Sequence, residues 1–405
     1  MKIKLFTLCM LIGFTIPFLN SCSEDDDVPA VKKTNLSLVL TSPEGITYTS
    51  LSDIALSVKE KNTGTTSEIK DAVINGTTLT FTVNEGTYDI TAEGTAEYTV
   101  DGETVSKSIR AYIEALVATG ETLSKEVGSF IYSPSTAGFV FKEIFFTGSL
   151  TPEGQQTSDQ YFIIYNNSDE TLYADGLFIS DSQFMTVDKQ DYKPNILSTH
   201  FTASSIIRVP GSGKDHPIEP GKSFTIAIDA VNYKEINSNS IDLSKADFEI
   251  IYNNTNMDDT DNPDVPNMEN IMGNMVIHNR GFHSYVLGRL GVDTEAYLKD
   301  YVYTCSWVFV FEEWSFDMED DYYKIPNEWI EDAVNLSIES EYQWIVTDPS
   351  LDMGWSYSGT IDGDPERYGK SVQRKVAGTI DGREVLMDTN NSKLDFNPQT
   401  PITLK

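Results

Sequence analysis

Acidic residues able to hold a cation or move a proton are plentiful in this chain, and their spacing decides what they could do. Asp258, Asp259, Asp261 and Asp264 crowd one stretch, together with Glu269 and the carbonyl-bearing Asn262 and Asn267. Calcium takes roughly six to eight oxygen ligands, often from alternate positions of a single loop. These four aspartates are therefore a candidate calcium site, and calcium is the one cofactor the sequence leaves open. Against it, Pro263 stands where a ligand should, and the glycine of an EF-hand's sharp turn is absent. A solvated surface loop is the competing reading. Asp317, Asp320 and Asp321, with Glu319 among them, form a second acidic group before "YYKIP". Two carboxyl groups facing each other across a cleft could hydrolyse a glycosidic bond. With 62 acids in 405 residues, however, such neighbours also arise by chance.

The other chemistry-bearing residues are sparse. Four histidines occur, at 200, 216, 278 and 283. A separation of five does not place His278 and His283 on one helical face, and on a strand it points them to opposite sides. No zinc or iron site is expected from them. Cys305 lies in "YVYTCSWVFVF", whose apolar neighbours suggest a buried, inert thiol. No Gly-x-Ser-x-Gly elbow, Walker A loop or dinucleotide fingerprint is present, and "GSGKD" at 211–215 is read as a turn. The five tryptophans, at 307, 314, 329, 344 and 355, fall close together in strongly apolar text. Three or more of them are expected in the core.

The elements that must position these residues are strands. From Asn35 to about Gly128, "NLSLVL", "IALSVKE", "LTFTV", "TYDITAEGTAEYTV" and "SKSIRAYI" alternate apolar and polar residues. Turn signals separate them: Asn-Gly at 75–76, Asn-Glu-Gly at 84–86 and Asp-Gly at 101–102. Such spacing predicts a small antiparallel sandwich. A second region begins near Gly138 with "GFVFKEIFFTGSL" and "DQYFIIYNNSDETLYADGLFIS". Pro220-Gly221 makes a turn into another strand, "DTEAYLKDY" is compatible with a helix, and "CSWVFVFEEWSF" reads as strand.

At the N-terminus, Lys2 and Lys4 precede an uncharged apolar run from Leu5 to Leu19. That run is too short to span a bilayer permanently and fits a secretory signal. Ser23, Glu24, Asp25, Asp26 and Asp27 follow Cys22 directly. A block of like charge stays solvated and extended. The formal net charge is −33, or −35 without Lys2 and Lys4. This repels phosphate backbones and argues against nucleic acid as a partner. Aromatic residues at 11% point to a packed core rather than disorder.

Several strings resemble known families. Leu19-Asn20-Ser21-Cys22 resembles a bacterial lipobox, which implies a lipid on the Cys22 thiol and cleavage just before it. An ordinary signal peptide with an incidental cysteine is the alternative. The acids at 23–27 are similar to the export tag of Bacteroidota lipoproteins, implying display on the outer face of the outer membrane; a spacer facing the periplasm is the alternative. "NEGTYDITAEG" resembles the Gly-x-Tyr strand of prealbumin-like domains, whose tyrosine plugs the sandwich. Tyr165, Asn166, Asn167, Asp175 and Gly176 lie on the pattern of a lamin-tail-like, immunoglobulin-like domain, although Ile163 stands where that family has Glu. Finally, Val265–Met268, Ile325–Val334, Tyr368–Val376 and Asp388–Ser392 together resemble an uncharacterised family of Bacteroidota outer-membrane lipoproteins, which implies partnership with outer-membrane transport or surface-binding systems.

The expectation is thus an all-β protein. Residues 1–21 would be the signal, 22–34 an acidic flexible tether, 35–128 a prealbumin-like sandwich, and 129–405 a larger lamin-tail-like sandwich with long insertions. It would be a non-enzymatic surface lipoprotein, anchored in outer-membrane lipid through Cys22 and binding a ligand or a partner such as a TonB-dependent transporter. The rival expectations are a surface glycan hydrolase using the C-terminal carboxylates, and a structural or adhesin-like surface protein.

Overall fold

The computed structural model describes residues 31–404, apart from 43–46, 101–102, 132–137, 153, 253–259, 312, 381 and 389. Cys22, the acids at 23–27, Asp258 and Asp259 therefore lie outside the described residues. The fold is all-β, in two sandwiches, with a few short helical turns. No helix among the described residues is long and apolar enough to cross a membrane.

Alternation builds the first sandwich. β1 (Lys33–Thr41) buries Leu36, Leu38 and Leu40 and turns the residues between them outward. β2 (Tyr48–Glu60), β3 (Thr66–Ile69), β4 (Val73–Asn75), β5 (Thr78–Asn84), β6 (Gly86–Val100), β7 (Glu103–Ala118) and β8 (Thr122–Ile131) follow. They hydrogen-bond in the order β3-β2-β6-β7-β8-β1-β5-β4. β8 joins the two halves: residues 122–128 run parallel to β1, and residues 129–131 pair antiparallel with β7. The halves close on Leu36, Leu79 and Phe81 from one side and Leu56, Ile90 and Ala92 from the other. Each fully buried Leu, Ile or Phe contributes about 1.5–3 kcal/mol relative to exposure. The Asn75-Gly76 signal does make a tight turn, with Gly76 at φ +60° between the paired β4 and β5. Tyr88 fills the core where the Gly-x-Tyr resemblance places it, and its hydroxyl donates to the Asn84 carbonyl at 3.0 Å.

The second sandwich faces a six-stranded sheet against a seven-stranded one. The first has the order Phe248–Glu249, Ser223–Ala227, Tyr161–Asn166, Phe139–Phe145, Lys370–Arg374, Phe396–Pro401. The second has the order Val302–Phe311, Trp314–Pro326, His200–Arg208, Leu177–Ser182, Ser284–Arg289, Ile330–Asn335, with Glu269–Met272 also paired to His200–Arg208. Phe141, Phe162 and Phe224 meet Ile179, Tyr285 and Leu287 between the sheets. The helix-compatible stretch forms Thr294–Asp300, capped by the Asp293 side chain, which accepts from the Ala296 N–H.

The two sandwiches touch through Arg110 of β7. Its Nε donates to Glu93 at 2.5 Å, and its Nη1 reaches the Asn390 carbonyl at 3.3 Å and the Met353 sulfur at 3.3 Å. The Arg110 side chain is buried. Arg110→Ala is expected to cost about 1–3 kcal/mol by leaving these acceptors unpaired. Limited proteolysis would report it as faster release of the two sandwiches as separate, resistant fragments.

Candidate functional site

"CSWVFVFEEWSF", read as strand, is a hairpin. Val302–Phe311 pairs with Trp314–Pro326 in unbroken register from Val302↔Tyr323 to Phe311↔Trp314. Side chains alternate faces along each strand, and directly opposed residues share a face. One face therefore carries Tyr303 with Tyr322, Cys305 with Asp320, Trp307 with Met318, and Phe309 with Phe316. The other carries Thr304 with Asp321, Ser306 with Glu319, and Val308 with Asp317. Tyr303, Trp307, Phe309, Phe316 and Tyr322 thus share one face with Asp320, while Asp317, Glu319 and Asp321 take the other with Tyr323.

The root of the aromatic face packs on Phe184, Tyr192 and Trp344. Tyr192 stacks on Phe184 at 3.9 Å and on Trp344 at 5.8 Å, and Trp307 stacks on Tyr322 at 6.2 Å. The Trp344 indole N–H donates to the Met185 and Asp188 carbonyls, which fixes the ring. Cys305 is fully buried in this cluster, as its neighbours predict, and burial pushes its thiol above the ordinary cysteine value. Beside the cluster lies a cleft of about 240 Å³, walled by Phe184, Tyr192, Pro194, Leu197, Tyr303 and Trp344. That volume holds a single ring or a short side chain. A more open cleft of about 330 Å³ lies along the hairpin, lined by Asp191, Trp307, Asp317 and Glu319.

The tryptophans correct the sequence reading. None of the five is fully buried: Trp307, Trp329, Trp344 and Trp355 are half-buried, and Trp314 is exposed. Apolar neighbours in sequence signalled core, but Trp307 and Trp314 lie on an edge hairpin, and Trp329, Trp344 and Trp355 lie outside the strands.

The acidic candidates separate. Asp261 and Asp264 are exposed. Asp261 accepts from the Asn267 side chain at 2.9 Å, and the Asp264 N–H donates to Asn262. Among the described residues no group of three His, Cys, Asp or Glu side chains is placed to hold a metal ion. Asp317 and Asp321 share the hairpin's back face with Glu319, while Asp320 is on the front. Asp321 accepts from Thr304 at 2.7 Å.

The histidines are another correction. His278 and His283 belong to no strand, so the strand argument for opposite sides fails. Their rings stack 5.2 Å apart, within 10° of parallel. His283 Nδ1 lies 3.5 Å from Asp181, whose other oxygen accepts from Ser205 at 2.6 Å. The serine faces the carboxylate rather than the imidazole, so this is not a nucleophile–base pair. Burial pushes His278 down to about 3.

Two motif residues turn out to be scaffold. Asp175 accepts from the Gly213, Asp215 and His216 N–H groups at 2.8–3.0 Å, so the "GSGKD" turn wraps its carboxylate. Burial alone would raise its pKa, but these N–H donors outweigh that and hold it below the usual range. Asp388–Ser392 borders a buried ionic network that sequence reading missed. Arg374 Nη2 donates to both Asp332 carboxylate oxygens at 2.6 and 2.7 Å, its Nη1 reaches Asp388 at 3.3 Å, and the guanidinium lies 3.8 Å from Asp395. Its Nε donates to the Phe141 carbonyl, while Asp332 accepts from the Phe141 N–H at 2.7 Å. Ser392 N–H and Asn335 N–H donate to a second buried acid, Asp352. Burial drives Asp388 up to about 7 and Asp352 up to about 6. One guanidinium thus faces three carboxyl groups across the two sheets.

These features define a two-sandwich β protein whose polar interior is structural and whose distinctive surface is an aromatic hairpin. Residues 219–403 match the family model described as "Protein of unknown function (DUF4876)". The crystal structure of a DUF4876 family protein from Bacteroides thetaiotaomicron VPI-5482, at 2.50 Å resolution, superposes with a TM-score of 0.54 at 22% identity, over 92% of this chain and 96% of that one. The likeness fixes the fold and supports the resemblance to an uncharacterised family present in Bacteroidota. No curated protein matches the chain.

Proposed function

We propose that the chain is a surface lipoprotein, anchored in the outer membrane through Cys22 and serving as a non-catalytic binding accessory to a TonB-dependent transporter. Support for the location comes from the positive head, the apolar run to Leu19, Cys22 and the acids that follow it. The observation that carries binding is the cleft walled by Phe184, Tyr192, Tyr303 and Trp344, a fixed aromatic pocket at the foot of a projecting hairpin. Such pockets orient a ligand by shape and stacking, and Lys189, Gln190 and Asp191 on the rim can add polar contacts.

Hydrolysis of glycans is the weaker reading. The open cleft does gather Trp307 with Asp191, Asp317 and Glu319, but all three acids are exposed, and Asp191 pairs with Lys193 at 3.0 Å. A general acid for that chemistry needs burial to stay protonated.

Two measurements test the proposal. Labelling with a lipid precursor is expected to mark the wild type and not Cys22→Ala; an unlabelled wild type removes the anchor. Pull-down from outer membranes is expected to recover a transporter with the wild type, and much less with Tyr192→Ala/Trp344→Ala; equal recovery by both removes the cleft as the binding site.

A further inference from the structure

We propose that the joint between the two sandwiches is proton-gated: the buried carboxyl cluster around Arg374 holds the segment that Arg110 grips, and loss of the cluster's shared proton frees one sandwich to move against the other. This is independent of what the aromatic cleft binds. Arg110 crosses from β7 to the Asn390 carbonyl and the Met353 sulfur. Those two partners are clasped to each other, since the Met353 N–H donates to the same Asn390 carbonyl at 2.8 Å. Asn390 has φ +54°, a left-handed conformation that persists where the surroundings impose it. Its side chain is tied to the Ser350 carbonyl.

Acids hold this clasp from inside. Asp352, fully buried, accepts from the Ser392 N–H at 2.7 Å, the Asn335 N–H at 2.8 Å and the Gly354 N–H at 3.1 Å. Asp395 accepts from the Asn391 N–H at 3.2 Å. Asp388, two residues before Asn390, lies 3.3 Å from Arg374. The carbonyl that Arg110 grips is therefore flanked on both sides by residues tied to buried acids. Arg110 itself keeps Glu93 of its own sandwich at 2.5 Å, so letting go of Asn390 does not leave its charge unpaired.

Charge makes the clasp conditional. Asp388 faces Arg374 of Lys370–Arg374, Asp332 of Ile330–Asn335 and Asp395 of Ser392–Asp395, and Asp352 faces Asp332. Lys375 sends its ammonium instead to the Leu394 carbonyl at the surface. One guanidinium and these four carboxyl groups, all ionised, would sum to −3 in a buried site. Such a site keeps a proton, and once the proton is lost the acids are relieved by opening to water. Burial pushes Asp388 up to about 7 and Asp352 up to about 6. Both values are raised in the closed form, so the joint is tight below this window and loosens as pH rises through it. On the outer side, Lys393 meets Lys59 and Lys61 at the end of β2, with Asp89 of β6. Burial and then Lys59 lower its pKa, so Lys393 acts in the opposite sense, and an Asp388 variant separates the two effects.

Hydrogen–deuterium exchange and small-angle X-ray scattering of the purified full chain, from about pH 5.5 to about pH 8.5, test this together. With rates referred to the intrinsic rate at each pH, wild-type protection of residues 390–395 is expected to fall at least about tenfold across the range. Residues 36–40 and 161–166 are expected to stay protected, and the radius of gyration to rise. Asp388→Asn is expected to keep both the protection and the smaller radius at the upper pH. Arg110→Ala is expected to show the larger radius already at the lower pH, with 390–395 still protected there. A wild type whose protection and radius do not change with pH overturns the proposal, as does Asp388→Asn opening like the wild type. An Arg110→Ala chain that stays compact throughout also overturns it. So does loss of protection at 161–166 together with 390–395, because the sandwich is then unfolding as a whole.

Discussion

Arg374→Met is expected to lower the unfolding free energy of the second sandwich by about 3–5 kcal/mol, the usual result of stripping the counter-charge from a buried ion pair. Arg374 is 1% exposed and pairs with Asp332, Asp388 and Asp395. Its loss leaves three buried carboxyl groups facing one another and removes donors from the Phe141 and Met387 carbonyls. Methionine keeps much of the volume against Phe396, whose ring lies 4.6 Å from the guanidinium, so the cost reports charge more than cavity. Adding Asp332→Asn should recover part of the loss, because the most strongly paired charge goes with its partner. Urea unfolding followed by tryptophan fluorescence is the direct measurement, since all five tryptophans belong to the second sandwich. A loss under about 1 kcal/mol would mean that water or a rearrangement satisfies the acids.

The same network makes stability depend on pH in a direction opposite to that of a surface carboxylate. Asp388 rises from 3.8 to about 7 and Asp352 to about 6, both through burial first. The folded state then holds these protons more tightly than the unfolded chain. Their stabilising contribution is complete below about pH 4 and is lost as pH rises toward 7. His278 acts in the other sense: lowered from 6.5 to about 3, it favours the folded state above pH 6.5 and disfavours it as the pH falls. The wild-type profile is therefore a sum of opposing slopes, and a variant isolates one of them. Asp388→Asn is expected to gain on the wild type as pH rises from 4 to 7, by on the order of 2–4 kcal/mol over that window. Chemical denaturation at a series of pH values gives the difference curve directly. A flat difference would show that Asp388 is already ionised on Arg374 at low pH.

The strands of the first sandwich were legible because each buries one face, so the period of two is written in β1 and β5 almost without exception. Tyr88 and Asp175 were marked through family resemblance alone, and the contacts each makes, with the Asn84 carbonyl and with the 211–216 turn, came only with the structure. The hairpin was not legible. Its apolar run has no strong turn signal, and both faces of its outer strand carry apolar residues, so the alternation that separates core from surface is absent there. The Arg374 network was hidden for another reason. Asp332, Arg374 and Asp388 have the composition of surface residues, and Asp332 and Arg374 lie 42 positions apart in sequence. Only the closing of two sheets makes them interior. His278 and His283 are brought face to face by a turn that spacing rules for regular elements do not describe.

Glu143 gives the way the second sandwich is sewn together a consequence for the order of events in synthesis. It sits in Phe139–Phe145, a central strand, and is buried; it accepts from Tyr161 at 2.8 Å, from Ser371 at 2.7 Å and from Thr403, 260 positions away. The strand is flanked on one side by Tyr161–Asn166, available early, and on the other by Lys370–Arg374, with Phe396–Pro401 beyond it. A chain emerging from its N-terminus can complete the first sandwich long before these last partners exist. Until residue 403 appears, Glu143, buried beside Tyr161, lacks part of its hydrogen-bonding shell. The second sandwich therefore closes only once nearly the whole chain has been made, whereas the first can fold well before it.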